Sequence, residues 1–237
     1  MRAAVLVFPG TWSDRDCLYA LERQRVQARR VWHRETPAFA RDELVVLPGG
    51  FSYGDYLRCG AIARFSPVMQ AVRTHAEAGG LVIGICNGFQ ILCEAGLLPG
   101  ALMRNASLQF RCVPAHLVVA EGVAAERASP FTRAIALRRV LAVPVSHGEG
   151  NYYADAATLD ALEREGRVAF RYCDAEGRVT AEANPNGSLR NIAGVLSVGR
   201  NVLGMMPHPE RACDALLGGE DGNAIWESVR ASVRVAA

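Results

Sequence analysis

The stretch Leu81-Val82-Ile83-Gly84-Ile85-Cys86-Asn87-Gly88-Phe89-Gln90 decides how the rest of the chain is interpreted. The apolar run that opens it predicts a buried strand, and Gly84-x-Cys86-x-Gly88 predicts a sharp turn into a helix. This is the thiol form of the Gly-x-Ser-x-Gly nucleophile elbow, which projects one side chain from the carboxyl end of a strand. The N–H groups and the positive dipole end of the following helix favour a thiolate at Cys86. The pattern predicts a cysteine nucleophile; the alternative is a buried, inert thiol.

A second polar motif, His208-Pro209-Glu210, follows an apolar run near the end of the chain. A carboxylate two residues after a histidine can bind one ring nitrogen and raise the basicity of the other. A thiol, a distant histidine and its carboxylate together have the composition of a nucleophile–base–orienter triad. The alternative is a structural or exposed histidine.

Two glycine-containing loops also follow predicted strands. Pro48-Gly49-Gly50 comes directly after the apolar run 44–47. A backbone N–H at Gly50 and that of Asn87, the residue after the nucleophile, are predicted to form an oxyanion hole, although an ordinary turn would have the same sequence. In the loop 146–150, His147 and Glu149 either form a second acid–base pair or lie in a surface loop.

Apolar runs alternate with helical patterns through the first hundred residues, which predicts an α/β fold with a mostly parallel central sheet and helices on both faces. Beyond Leu102 the pattern changes, and Gly199-Arg200-Asn201 separates two apolar runs as in a hairpin. We therefore predict an antiparallel extension of the sheet. No linker or internal repeat divides the sequence, so a single domain, 1–237, is predicted. The predicted strands are 3–8, 44–47, 81–85, 110–119, 140–145, 168–173, 193–198 and 202–206. The predicted helices are 14–28, 67–78, 88–95, 158–165 and 223–235, and Ser66 is predicted to cap the second of them.

Composition narrows the class of protein. Half of the 237 residues are hydrophobic and the formal net charge is +2, which suits an enzyme with a large aliphatic core. All 26 basic residues are arginine, and they are scattered, so nothing indicates nucleic-acid binding. The densest group, Arg23, Arg25, Arg29 and Arg30, is predicted to be a solvated helix face. Asp14 or Asp16 is predicted to cap a helix that runs to about residue 28.

Other classes of protein are disfavoured by what the sequence lacks. No apolar run approaches the ~20 residues of a membrane span, and the N-terminus does not have the pattern of a signal peptide. The seven cysteines include no Cys-x-x-Cys pair, so neither a disulfide framework nor a zinc site is indicated, and a reducing cytoplasm fits best. No phosphate-binding glycine motif and no spacing of metal ligands is present.

The cysteine elbow, the late His-Pro-Glu and the early Pro-Gly-Gly together resemble class I glutamine amidotransferases. The resemblance is closest to the glutaminase subunits of phosphoribosylformylglycinamidine synthases, and it runs nearly end to end. It is carried by residues 47–58, 84–90, 147–150, 170–174, 184–188 and 205–211.

This resemblance implies specific roles for the motif residues. Cys86 would be the nucleophile, His208 the general base and acid, and Glu210 its orienter. Gly50 and Asn87 would supply the oxyanion-hole N–H groups. The resemblance also places Gly49 and Gln90 at the bound glutamine, with His147 as a substrate or interface residue.

The resemblance further implies that glutamine is hydrolysed to glutamate and ammonia. A separate synthetase would use the ammonia with ATP to make formylglycinamidine ribonucleotide in purine biosynthesis, and a small third subunit would complete the complex. No cofactor or metal is expected in this chain, since ATP and Mg²⁺ belong to the synthetase. Three alternatives remain: a glutaminase serving another synthetase, a cysteine hydrolase or deglycase with the same elbow, and a catalytically silent subunit.

Overall fold

The structure is a computed structural model that describes residues 1–120 and 129–235. Its strands are β1 (Arg2–Val7), β2 (Gln27–Trp32), β3 (Glu43–Leu47), β4 (Val82–Ile85), β5 (Ala101–Met103), β6 (Arg111–Val113), β7 (His116–Val119), β8 (Leu141–Ala142), β9 (Val145–His147), β10 (Asn151–Tyr153), β11 (Val168–Cys173), β12 (Ile192–Leu196) and β13 (Val202–Met205). Its α-helices are α1 (Asp14–Arg23), α2 (Val68–Glu77), α3 (Asn87–Glu94), α4 (Ala156–Arg164) and α5 (Asn223–Val235). Part of the predicted connection between strands 110–119 and 140–145, residues 121–128, lies outside the described residues.

A nine-stranded sheet in the order β2-β1-β3-β4-β13-β12-β11-β7-β8 forms the centre of the described chain. The neighbours from β2 to β13 are parallel, and those from β13 to β8 are antiparallel. Two small antiparallel sheets, β5 with β10 and β6 with β9, lie beside it. The predicted α/β class, with a parallel central sheet and an antiparallel extension, is confirmed.

The central strands are apolar on both faces, as parallel strands covered by helices require. Every residue of β3, β4 and β13 is buried. Helix α1 packs on β1 and β2, and α3 packs on β3, β4 and β13. The side chains between these layers form one continuous hydrophobic core.

The prediction of a helix from Asp14 to about residue 28 is wrong in its second half. Helix α1 ends at Arg23, and Arg25 adopts a left-handed conformation with φ +56°. The chain then forms the edge strand β2, which pairs with β1. Arg29 and Arg30 therefore lie on a strand, not on a helix face, and they make ion pairs with Glu43 and Asp14. Charged side chains on an edge strand oppose pairing with another chain. The sequence did not indicate the turn between α1 and β2, because no glycine or proline lies there.

Two predicted strands are each divided by a proline. Pro114 separates β6 from β7, which belong to different sheets. Pro144 likewise separates β8 from β9. Proline cannot donate a ladder hydrogen bond, so it ends regular pairing. The division matters because β9, which carries His147, can then leave the central sheet.

The register of the parallel strands brings several motifs to one edge of the sheet. Leu47 at the end of β3 pairs with Gly84, and Ile85 at the end of β4 pairs with Met205 of β13. The chain segments that leave these three strands carry Gly49, Cys86 and His208. Carboxyl ends of strands in open α/β sheets are the usual position of ligand sites.

Candidate active site

Cys86 occupies a strained turn between β4 and α3. Its φ and ψ angles are 51° and −107°, and its side chain is 5% exposed. A left-handed conformation of a residue other than glycine costs about 1–3 kcal/mol and is found where the surroundings enforce it. The backbone packs closely here, since a Cβ on Gly88 would lie 1.9 Å from the carbonyl oxygen of Leu47. The glycine lets α3 approach β3 closely enough for the turn to project the thiol.

His208 and Glu210 form a buried hydrogen-bonded pair. The Nδ1 atom of His208 lies 2.5 Å from Oε1 of Glu210, and both side chains are at most 2% exposed. The backbone N–H of His208 also donates to the carbonyl oxygen of Pro144 at 2.8 Å. Burial alone lowers the pKa of His208, but the Glu210 carboxylate and the Cys86 thiol outweigh it and raise the pKa well above 6.5. The carboxylate thus orients the ring and favours its protonated form.

Gly49 lies between the histidine and the thiol. A Cβ on Gly49 would be 2.7 Å from Cε1 of His208 and 3.5 Å from Cβ of Cys86. Its carbonyl oxygen accepts hydrogen bonds from the backbone N–H groups of Trp12 and Ser13, each at 3.0 Å. The absence of a side chain at position 49 therefore leaves the imidazole and the thiol beside one another.

The thiol of Cys86 donates a hydrogen bond to the carbonyl oxygen of Ser146 in β9 at 3.5 Å. Among the described residues, no hydrogen bond of normal length satisfies Nε2 of His208, although this atom is buried. The segment from Pro144 to Ser146 thus contacts both His208 and Cys86 through backbone carbonyl groups. In this arrangement the Ser146 carbonyl oxygen contacts the sulfur, and the interaction with Cys86 is one of the causes that raise the pKa of His208.

Two backbone N–H groups near the thiol are available to a ligand. Asn87 is the first residue of α3, where an N–H has no partner within its helix. The N–H of Gly50, φ +152°, makes no backbone hydrogen bond within the described residues. Each of the two residues predicted to form an oxyanion hole therefore has a backbone N–H that could serve a ligand, and their role in an oxyanion hole stays a prediction.

Gln90 is buried, and both ends of its side chain are hydrogen-bonded within the protein. Its Oε1 accepts from Nδ2 of Asn87 at 2.9 Å, and its Nε2 donates to the carbonyl oxygen of Glu149 at 2.6 Å. Contact of Gln90 with a substrate stays a prediction. The contact that the structure contains is between the elbow helix and the loop 147–150.

His147 is buried in a network behind the elbow. The side-chain oxygen of Asn186 accepts from the N–H and the hydroxyl of Ser188 at 3.0 and 2.7 Å, so its Nδ2 must face the imidazole. That Nδ2 lies 3.0 Å from Nε2 of His147 and 3.2 Å from the hydroxyl of Tyr172. Nε2 therefore accepts, and the ring proton resides on Nδ1. Burial and the nearby His208 lower the pKa of His147 to about 3, so the ring is neutral.

Several of these contacts were not predicted from the sequence motifs. Asn186 lies in the segment 184–188, which carried the resemblance without a role for any of its residues. Ser13 lies beside Gly49 and accepts a hydrogen bond from Arg211 at 2.9 Å. The carbonyl groups of Pro144 and Ser146 are backbone atoms, so no residue type could indicate them.

Within residues 1–120 and 129–235, no three or more His, Cys, Asp or Glu side chains are grouped so that they could hold a metal ion. No helix in the same part of the chain has the length and apolar character needed to cross a membrane.

The sequence and the fold of this chain match those of known proteins. Residues 1–224 match the model of the CobB/CobQ-like glutamine amidotransferase domain. The chain is 57% identical over 234 residues to the phosphoribosylformylglycinamidine synthase subunit PurQ of Gloeobacter violaceus, and the match covers 98% of each chain. It is 55% identical to that of Moorella thermoacetica, over 97% of this chain and 95% of the other. Among solved structures, a chain of PurLQS from Thermotoga maritima superposes with a TM-score of 0.84 at 39% identity, covering 98% of both chains.

Proposed function

We propose a function for this chain from its family, since it belongs to the glutamine amidotransferases and, within them, to the PurQ subunits of phosphoribosylformylglycinamidine synthase. The chain hydrolyses glutamine to glutamate and ammonia. A partner synthetase uses the ammonia, with ATP, to convert formylglycinamide ribonucleotide to formylglycinamidine ribonucleotide in purine biosynthesis. The subunit works in a complex with this synthetase and a small third subunit. The name PurLQS of the similar solved structure supports a complex of this kind.

The observation that carries the proposal is the juxtaposition of three groups at one edge of the sheet. A strained elbow presents Cys86 at the N-terminus of α3, and a buried histidine–carboxylate pair with an Nδ1–Oε1 distance of 2.5 Å lies beside it. These are the nucleophile, the base and the orienter that covalent amide hydrolysis needs. Gly50 and Asn87 supply the two N–H donors for the oxyanion.

The chemistry follows from these positions. His208 takes the proton of the Cys86 thiol as the sulfur attacks the side-chain amide carbon of glutamine. The two N–H groups stabilise the oxygen that becomes negative. The carbon–nitrogen bond breaks as protonated His208 transfers its proton to the leaving nitrogen, which departs as ammonia. Water then attacks the thioester and gives a proton to His208. The carbon–sulfur bond breaks, and His208 returns its proton to the sulfur, which releases glutamate and restores the thiol.

The remaining ligands belong to the partner. The chain itself needs no cofactor or metal for this chemistry, and ATP and Mg²⁺ bind to the synthetase. We place Gly49 at the substrate because it leaves open the space between His208 and Cys86. A cytoplasmic location is supported by the seven cysteines, all of which are free thiols in the structure.

The test is glutamate release from glutamine by the purified chain, with and without its synthetase, for the wild type and Cys86→Ala. Alanine removes the sulfur and little volume, so we expect undetectable glutamine hydrolysis and unchanged synthesis from ammonium salts. Glutamine-dependent turnover by the variant would exclude Cys86 as the nucleophile. Stimulation by a different synthetase, and not by this one, would favour the first alternative, a glutaminase of another pathway.

A further inference from the structure

Asn87 has a side chain that the proposed chemistry does not use, and this side chain is the centre of a buried hydrogen-bond network. Its Oδ1 accepts from the backbone N–H of Ser52 at 3.1 Å. Its Nδ2 donates to Oδ1 of Asp55 at 3.3 Å and to Oε1 of Gln90 at 2.9 Å. Asn87 is 1% exposed, so these protein contacts take the place of water.

The first two contacts hold the loop that follows Gly50. This loop is conformationally unfavourable by itself, because Tyr53, Asp55 and Leu57 all have φ between 54° and 71°. A loop of this kind keeps its shape only where other groups hold it. Asn87 binds it at two points, and the first of them is two residues beyond Gly50.

The third contact reaches the opposite loop. Gln90 also contacts this opposite loop, because its Nε2 donates to the carbonyl oxygen of Glu149 at 2.6 Å. Glu149 lies in the loop that leaves β9, and the carbonyl oxygen of Ser146 in β9 accepts from the thiol of Cys86. Two amides, those of Asn87 and Gln90, therefore connect the elbow helix to the loop after Gly50 and to the loop after β9.

We infer that the side chain of Asn87 is a positioning residue that assembles the oxyanion hole. Its own backbone N–H is one donor, and its side chain fixes the loop that carries the other, Gly50. The Asn87 side chain thus connects the two donors directly, whereas the backbone hydrogen bonds of Gly49 and Phe51 hold the Gly50 loop only to residues 10–13. This inference rests on the proposed glutaminase function and adds a role for a side chain that amide hydrolysis does not require.

The consequence is kinetic. A misplaced oxyanion donor raises the energy of the transition state more than that of the bound substrate, so kcat falls while KM changes little. Misplacement by about 1 Å can cost ~100-fold in rate. Alkylation of the thiol by iodoacetamide forms no oxyanion, so it should not depend on the donors.

The experiment compares Asn87→Leu and Asn87→Ala with a matched control, Asn201→Leu. The two substitutions at position 87 disturb packing in opposite directions, so a shared loss of kcat comes from the missing amide. Asn201 also cross-links the chain through its side-chain amide, which donates to the carbonyl oxygens of Ala76 and Gly80 at 2.8 and 2.7 Å. It precedes β13, at the other end of the strand from His208.

For both Asn87 variants we expect a fall in kcat of ~10- to 100-fold, a KM within about threefold, and an unchanged rate of Cys86 alkylation measured by peptide mass spectrometry. For Asn201→Leu we expect a lower melting temperature with kcat near that of the wild type. A kcat within twofold of the wild type in either Asn87 variant would overturn the inference, as would an equal loss of alkylation. A wild-type chain without glutaminase activity, even with its synthetase, would instead overturn the proposed function.

Discussion

At the scale of single residues, the state of His208 depends on one carboxylate. We predict that Glu210→Gln lowers kcat by ~10²- to 10⁴-fold with a small change in KM. A glutamine amide donates to Nδ1 and so places the ring proton on Nε2, where the base must accept one. Steady-state glutamate release in the presence of the synthetase measures this. Glu220→Gln is the control, because Glu220 is an exposed carboxylate that pairs with Arg23 at 3.7 Å. A variant at 210 as active as this control would reduce Glu210 to a structural carboxylate.

His147 gives a prediction about stability and pH. Its pKa is about 3 in the folded chain and near 6.5 when unfolded, so the unfolded state binds more protons between these values. Stability therefore falls as the pH is lowered through this window, by at most ~1.4 kcal/mol per pH unit from this group. His208 acts in the opposite sense, because its pKa is raised to about 10 in the folded chain. Its contribution to stability is fully present below pH 6.5 and is lost as the pH rises towards 10.

His147→Gln should flatten this dependence between pH 6 and pH 4, because glutamine does not titrate and its carbonyl oxygen can still accept from Asn186. Urea unfolding at several pH values measures the slope. His116→Gln, at a half-exposed position of β7, is the control and should keep the wild-type slope. An identical slope in His147→Gln would mean that the buried imidazole does not govern acid stability.

At the scale of elements, the elbow depends on how closely α3 approaches β3. Gly88→Ala would place a Cβ 1.9 Å from the carbonyl oxygen and 2.6 Å from the carbonyl carbon of Leu47. Both are backbone atoms, so the helix must move. We expect a destabilisation of about 1–3 kcal/mol and a marked loss of turnover. The control is Gly219→Ala, because a Cβ on Gly219 meets nothing within 4 Å. Equal melting temperatures and equal turnover for the two variants would contradict this account of the elbow.

At the scale of the whole molecule, the site is enclosed in the isolated chain. Cys86 and His208 are 5% and 2% exposed, and the thiol donates to the Ser146 carbonyl oxygen. We predict weak glutaminase activity for the chain alone and strong stimulation by the synthetase loaded with nucleotide or substrate. Activation requires the partner to bind the active loop arrangement more tightly than the resting one. Moving a population from 1% to 99% active takes about 5.5 kcal/mol of such a difference, which a protein interface can supply.

Glutamate production by the chain alone, and then with its loaded synthetase, measures this coupling. The Cys86→Ala chain, added with the same synthetase, controls for glutaminase activity in the partner preparation. Full turnover by the lone chain, with no change on adding the loaded partner, would rule out gating and favour a stand-alone hydrolase.

The sequence by itself determined the elements whose signals are local. Apolar runs identified β1, β3, β4, β11 and the β12–β13 hairpin, and the glycines around Cys86 identified the elbow, because tight turns restrict which residues fit. The edge strand β2 escaped detection since its boundary is a left-handed Arg25, which has no residue signature. The division at Pro114 and Pro144 has a residue signature, since proline cannot donate a ladder hydrogen bond, but the apolar residues on both sides made each run resemble one continuous strand.

The tertiary structure alone decided which distant residues meet. Strand order and register bring Gly49, Cys86 and His208 to one edge, and these depend on long-range packing that no local window contains. It also decided how polar groups are satisfied. The resemblance implies that Asn87 supplies an oxyanion-hole N–H and that Gln90 contacts the bound glutamine. Burial also requires their side-chain amides to find partners, and those partners are each other and the neighbouring loops. The residue types indicate which chemical groups are available, whereas folding determines where the hydrogen-bond donors and acceptors lie relative to one another.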